Sequence, residues 1–277
     1  AISRNGSSSS RRSRGASRRC ATWFAAALRK DRVALFTGDV TTHVSLVVWI
    51  ACLLFAMTTT ALCKGSEPPW NLAELRRAPV FTVAERQGNL LSIYYRGESY
   101  RERPTSVFAY LAYPEKRTGS LPAMALIHGG GGQAYSEWAK AWAARGYVAL
   151  AMDHIGHGPD GKPMPDGGPQ QDQQSILMDP DTKQRWTYHA VADVIRGISL
   201  LASLPEVDSR RIGITGISWG GYLTCIVAGL DRRIRVALPV YGCGFLYEHG
   251  GLAKDISSLP DAQRRLWIEL LDPARYL

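Results

Sequence analysis

The 277 residues, 45% of them hydrophobic, suffice for one large domain with a substantial core. The formal charge of +9 does not speak for a nucleic-acid partner, because residues 1–43 hold nine Lys/Arg against Asp31 and Asp39 and the remainder is left near +2. No basic patch interleaved with aromatics follows residue 43, so nucleic-acid binding is not expected.

Taken in order, residues 1–43 are a basic, Ser/Arg-rich extension with too few apolar residues to fold alone. Residues 44–63 contain no charge, and their strongly apolar part, 44–57, has the length of a signal-peptide core and is short for a spanning helix. Ala61 and Cys63 are small residues suited to cleavage after Cys63, and Leu62 argues against a lipoprotein site. The reading is a signal, cleaved rather than kept as an anchor, with the domain exported to periplasm or exterior and membrane contact limited to this segment. Residues 64–79 read as a polar, proline-bearing linker, and 80–277 as the folded domain.

Within that domain, residues 80–83, 90–94 and 107–113 read as strands bounded by turn residues. Residues 123–128 and 147–152 are apolar runs of the fully buried kind, separated by a helix over 135–145 with Trp138 and Trp142 on one face. A Gly/Pro/Asp/Gln-rich loop over 155–182 has the length of a lid or binding wall. An amphipathic helix over 186–204 precedes Pro205, strands follow at 211–215 and 236–240, and a helix covers 260–271. Alternating strands and helices predict an α/β domain, a mostly parallel sheet with helices on both faces.

Two glycine motifs carry the chemistry. Gly216-Ile217-Ser218-Trp219-Gly220 is a G-x-S-x-G between a strand and a helix, the pattern that lifts a strained serine hydroxyl above a sheet. Alone it is a weak signal, but His128 and the tetraglycine 129–132 follow a buried strand and precede a helix, as an oxyanion loop does. The Trp219 N–H, at the start of the elbow helix, is a second oxyanion donor. His128 reads as a brace for the loop. His154 and His157 stand at the mouth of the next strand as candidates to line the site, with loop bracing preferred, and Asp153 as an orienter of loops. Cys225 and Cys243 read as small buried residues rather than a disulfide, although export would permit a bridge. There is no C-x-x-C pair or Cys/His cluster, so no metal and no organic cofactor is implied.

The chain resembles the α/β-hydrolase superfamily, in particular its acetyl xylan esterase and dienelactone-hydrolase-like branch. The likeness rests on HGGGG at 128–132, RGYVALAMD at 145–153, SLPEVDSRRIGITGISWGG at 203–221 and DPARYL at 272–277. It implies a Ser–Asp–His hydrolase of small-molecule or polysaccharide acyl esters, with Ser218 as nucleophile and Gly129, Gly130 and Trp219 as oxyanion donors. The elbow is also similar to that of prolyl oligopeptidases, but about 65 residues between the signal and the tetraglycine leave no room for their propeller.

The same resemblance places the acid and histidine after the nucleophile. Beyond Ser218 the sequence holds one histidine, His249, and the carboxylates Asp231, Glu248, Asp255, Asp261, Glu269 and Asp272. The expectation is therefore a domain lacking its last strands, its triad acid and its base, with His249 a poor substitute, an exposed sheet edge, and no meaningful esterase turnover. A catalytically dead hydrolase-like domain that binds a ligand is the alternative from another class.

Overall fold

The computed structural model describes residues 67–277, so the expectations for the basic extension and the signal segment lie outside the described residues. Seven strands form one sheet: β1 (Phe81–Gln87), β2 (Leu90–Arg96), β3 (Ser106–Ala112), β4 (Leu121–Ile127), β5 (Val148–Met152), β6 (Val207–Ile217) and β7 (Ile234–Val240). Their spatial order is β1-β2-β3-β5-β4-β6-β7. The first three pairings are antiparallel, and β5, β4, β6 and β7 run parallel. The mostly parallel α/β sheet expected from the alternating pattern is present.

The parallel strands are apolar because helices cover them. On one face α2 (Ser136–Ala143) packs Ala139 and Ala143 over Met124, Leu126, Ala149 and Ala151. On the other lie α3 (Trp186–Ser203) and α4 (Trp219–Leu230), which share the main core with Ile127, Leu150, Ile212 and Ile214. Fifteen of the 18 residues of α3 are buried, more than an amphipathic reading allows. The reason lies in the segment expected to be a linker. It contains a short helix, α1 (Leu72–Leu75), and Trp70 and Leu75 are buried against α3. The Trp70 indole N–H donates to the Tyr188 carbonyl at 2.9 Å, its ring stacks on Tyr188 at 6.0 Å, and the Ser199 hydroxyl donates to the Leu75 carbonyl at 2.8 Å.

The long loop is folded rather than open, and it does not line the cavity at which Ser218 stands. The Met164 N–H donates to the Gly156 carbonyl at 2.9 Å, the Ser106 N–H donates to the Asp166 carbonyl at 2.8 Å, and a π-turn (Gln174–Met178) buries Ile176 and Leu177. Two further α-helices follow, α5 (Ala253–Ser257) and α6 (Asp261–Leu270), α6 anchored by the fully buried Trp267, and a 3₁₀ turn at Pro273–Arg275 comes after them. Among the described residues no helix is long and apolar enough to cross a membrane.

Among the described residues β7 is the last strand of the sheet, and apolar surface lies uncovered along it. Val236, Leu238 and Val240 alternate along one face at 50%, 49% and 43% exposure, beside the partly exposed Ile217. The neighbouring Ala237 packs into the core with α4 on the other face. Exposed edges with apolar side chains pair readily with other chains. Concentrated protein is expected to self-associate in light scattering, and Val236→Lys with Leu238→Lys to reduce this several-fold without lowering the unfolding midpoint; equal association of the variant would contradict the edge as the cause.

Candidate active site

The site is assembled by two strand ends. Ile127, the last residue of β4, pairs with Gly216 near the end of β6, so whatever follows β4 lies beside whatever follows β6. After β4 comes the tetraglycine, and after β6 comes Ser218. Ser218 has φ 57° and ψ −117°, a backbone region that L-residues avoid at a cost of about 1–3 kcal/mol. Its N–H is held by the carbonyl of Val240 at 2.8 Å, and its carbonyl accepts the Tyr222 N–H at 2.9 Å, the opening bond of α4. Gly220 is glycine for lack of room: a Cβ there would overlap the Ile127 carbonyl and lie 2.6 Å from that of His128.

The tetraglycine folds as a tight turn. The Gly132 N–H donates to the Gly129 carbonyl at 3.1 Å, with Gly131 at φ 67°, a value that favours glycine. A Cβ on Gly129 would stand 3.4 Å from that of Ser218, so the turn runs directly past the serine. A Cβ on Gly130 would meet the Trp219 ring at 2.6 Å and the Gln171 side chain at 3.0 Å.

Behind the turn lies a buried set of braces. His128 Nδ1–H donates to the Gly129 carbonyl at 2.7 Å, and its ring stacks on His154 at 3.9 Å. His154 Nε2–H donates to the His128 carbonyl at 2.9 Å. In trans peptides the N–H opposes the C=O, so these bonds turn the Gly129 and Gly130 amides away from the histidines. Asp153 accepts the N–H groups of Ile155 and His157 at 3.0 and 2.8 Å, and its other oxygen lies 3.5 Å from His128 Nε2. His157 donates to Gln170 at 2.6 Å. Burial would raise the Asp153 carboxyl, but the His128 ring and the His157 amide outweigh it and hold it below its usual range. Burial, reinforced by His128, pushes His154 down to about 3. His128, Asp153 and His154 are buried and His157 is half-buried, and all four stand behind the turn as braces rather than among the residues around the cavity at Ser218.

That cavity, about 310 Å³, is bounded by Ser218, Trp219, Tyr222, Tyr241, Cys243, Leu246, Gly251 and Leu252. Trp219 stands edge-on to Trp186 at 5.1 Å and to Tyr222 at 5.1 Å. The Tyr222 hydroxyl donates to the Leu271 carbonyl at 2.6 Å. Asp272 accepts the N–H groups of Phe245, Leu246 and Ala274 at 2.8–2.9 Å, which fixes the loop carrying Leu246 and occupies both of its oxygens. His249 is 87% exposed, 3.9 Å from Glu248, and does not line the cavity. Cys243 is exposed rather than buried, because it borders the cavity beside Ser218, and Cys225 is buried; neither forms a disulfide. Among the described residues no group of three or more His, Cys, Asp or Glu converges as a metal site would. Sequence reasoning missed Gln171, the bracing role of Asp272 and the cavity wall of Tyr222, Tyr241 and Leu246, all of which depend on tertiary contacts.

A parallel sheet with a strained serine between strand and helix, beside a glycine turn from the adjacent strand, defines the α/β-hydrolase class. Within that class the chain belongs to the acetyl xylan esterase (AXE1) family, whose family model matches residues 73–250. It is 31% identical over 164 residues to the uncharacterized protein YcjY of Escherichia coli (strain K12), covering 56% of this chain and 48% of that one. It is 27% identical over 177 residues to acetyl esterase Axe7A of Xylanibacter ruminicola, covering 59% and 39%. The chain thus spans about half or less of the length of these relatives. Among solved structures, acetyl xylan esterase from Paenibacillus sp. R4 superposes with a TM-score of 0.55 at 24% identity, covering 74% of this chain and 70% of that one. Acetyl xylan esterase 1 from Thermoanaerobacterium sp. JW/SL YS485 gives 0.53 at 19% identity, covering 76% of each. These two likenesses establish the fold.

Backbone strain at residue 218 predicts a difference between two variants that both lack the hydroxyl. Glycine tolerates the conformation and alanine does not, and relief of about 1–3 kcal/mol exceeds the roughly 0.5–1 kcal/mol that glycine's extra freedom costs. Ser218→Gly should unfold a few degrees above Ser218→Ala in a thermal melt; the reverse order would mean the strain is absent.

The buried histidines predict an acid limit. Burial pushes His189 on α3 down to about 4, and His154 to about 3, against 6.5 for a free imidazole. Below 6.5 the unfolded chain takes up protons that the folded chain refuses, so their contribution to stability is complete above that pH and is lost as pH falls. Asp193, raised by burial, works in the opposite sense. Two histidines against one carboxyl leave a net loss, and the unfolding midpoint should fall from about pH 6 to pH 4. His189→Gln should flatten that slope, and an unchanged slope would remove His189 from the account.

Proposed function

We propose that this chain carries the nucleophile and oxyanion half of a serine-dependent carboxylic ester hydrolase that removes acetyl groups, acetylated polysaccharide being the favoured substrate class. The observation that carries it is the strained Ser218 lying against the tetraglycine turn. Support comes from membership in the acetyl xylan esterase family and from the relative named as an acetyl esterase.

In this reading the Ser218 oxygen attacks the ester carbonyl carbon as its proton passes to a base. The resulting oxyanion is received by N–H groups of Gly129, Gly130 and Trp219. At the first turn of α4 the Trp219 amide has no intrahelical acceptor. One such donor is worth about 2.7–4 kcal/mol in the transition state. Collapse expels the alcohol and leaves an acetyl-serine, which water cleaves to acetate and free serine. The apolar wall of Trp219, Tyr222, Leu246 and Leu252 gives a small acyl group a dry seat.

A base beside Ser218 is not found among the described residues. Among the described residues no histidine lines the cavity with Ser218, and Asp272 is committed to backbone amides. The 277-residue polypeptide is therefore a weak catalyst, left with what its oxyanion hole and binding provide. The uncharged segment 44–63, preceded by positive charge, supports export and a membrane contact confined to that segment.

The test supplies the base from solution. With 4-nitrophenyl acetate alone, turnover should match that of Ser218→Ala. With added imidazole, a fluorophosphonate should modify Ser218 in preference to every other serine, as read by peptide mapping. Modification spread over surface serines would refute the nucleophile. Robust turnover without imidazole, lost in Ser218→Ala, would overturn the missing base and point to His249.

A further inference from the structure

Helix α4 presents three small residues one turn apart on a single face: Gly221, Cys225 and Gly229. Two segments lie against that face. A Cβ on Gly221 would stand 2.7 Å from the Gly242 nitrogen, and a Cβ on Gly229 would stand 2.7 Å from that of Tyr276. The segments are in contact with each other, since a Cβ on Gly244 would lie 2.6 Å from the Ala274 nitrogen. The chain after β7 therefore starts at the first turn of α4, at Gly242. Two residues later it meets the segment that covers the third turn. Cys243 is the residue between Gly242 and Gly244 on this path, and Cys225 lies one turn along α4 from Gly221, the residue Gly242 abuts. Both thiols are free, Cys225 at 4% exposure and Cys243 exposed. Burial first, and the neighbouring Cys243 second, push the Cys225 thiol up. Cys243 also lines the cavity beside Ser218.

We propose that Cys225 and Cys243 form a redox pair, which a small-molecule disulfide such as oxidised glutathione converts to a disulfide tying the wall of the Ser218 cavity to α4. The exposed thiol is the point of entry. The Cys243 thiolate attacks one sulfur of oxidised glutathione, forms a mixed disulfide and releases one glutathione thiolate. The Cys225 thiolate then attacks the Cys243 sulfur, forms the Cys225–Cys243 bond and releases the second. The two protein thiols give up two protons and two electrons, and one oxidised glutathione becomes two reduced ones. The bond closes a short loop in the unfolded chain and so favours the folded one. The inference goes beyond the hydrolase reading and rests on the proposed export only for where an oxidant is met; its test needs neither export nor turnover.

The 277-residue protein is treated with oxidised glutathione, alkylated, digested and mapped by mass spectrometry. The expected result is a linked Cys225–Cys243 peptide and an unfolding midpoint higher by roughly 5 °C or more, reversed by dithiothreitol. In Cys225→Ser, Cys243 should instead remain as the glutathione mixed disulfide. Wild-type protein that keeps Cys225 alkylatable while Cys243 carries glutathione, or that links Cys243 to Cys20, Cys52 or Cys63, would overturn the proposal. These outcomes are read in the wild-type map, so they stand even where a variant fails to fold.

Discussion

The contact on which the structure depends is the close approach of α4 to the end of β4. The helix can begin directly after β6 because Gly220 lets its first turn press against the carbonyls of Ile127 and His128. That single approach positions Ser218, frees the amide of Trp219, and brings the tetraglycine turn alongside. It also demands the strained backbone at Ser218, which is kept in place by the Val240 carbonyl on one side and the first helical bond on the other. Sheet register and site geometry are thus one constraint: a shift between β4 and β6 would separate the serine from its amides.

The histidines around this point serve the backbone. His128 and His154, stacked and buried, use ring N–H groups to satisfy two carbonyls of the glycine turn, an arrangement that replaces bonds a strand would have made. Asp153 sits below them with its own amide partners. In the proposed reaction such rigidity matters, because donors that are already aimed cost no reorganisation when the oxyanion forms. The chain belongs to the acetyl xylan esterase family; what its own residues contribute is a strained serine against a glycine turn, with an apolar wall beside it.

Much of this was readable in the chain. The buried strands announce themselves by composition, since a strand covered on both faces has no polar side to show, and β4, β5 and β6 fall where the apolar runs put them. The elbow and the tetraglycine were readable because glycine at fixed spacing has few other uses. The rest depended on partners far away in sequence. Nothing local in residues 64–79 says that Trp70 and Leu75 will cap α3, because the surface they cover is made 115–125 residues later. Asp272 looked like any late carboxylate until the loop over 245–246 delivered two amides to it. Cys243 was expected inside and stands exposed at the cavity beside Ser218, because the residues that border it there come from α4 and the loop after β7.

The most direct measurement is a crystal structure of the protein with Ser218 phosphonylated. The account predicts the phosphoryl oxygen about 2.7–3.1 Å from the amide nitrogens of Gly130 and Trp219. A phosphoryl oxygen turned away from the tetraglycine turn, with those amides bonded elsewhere, would contradict it.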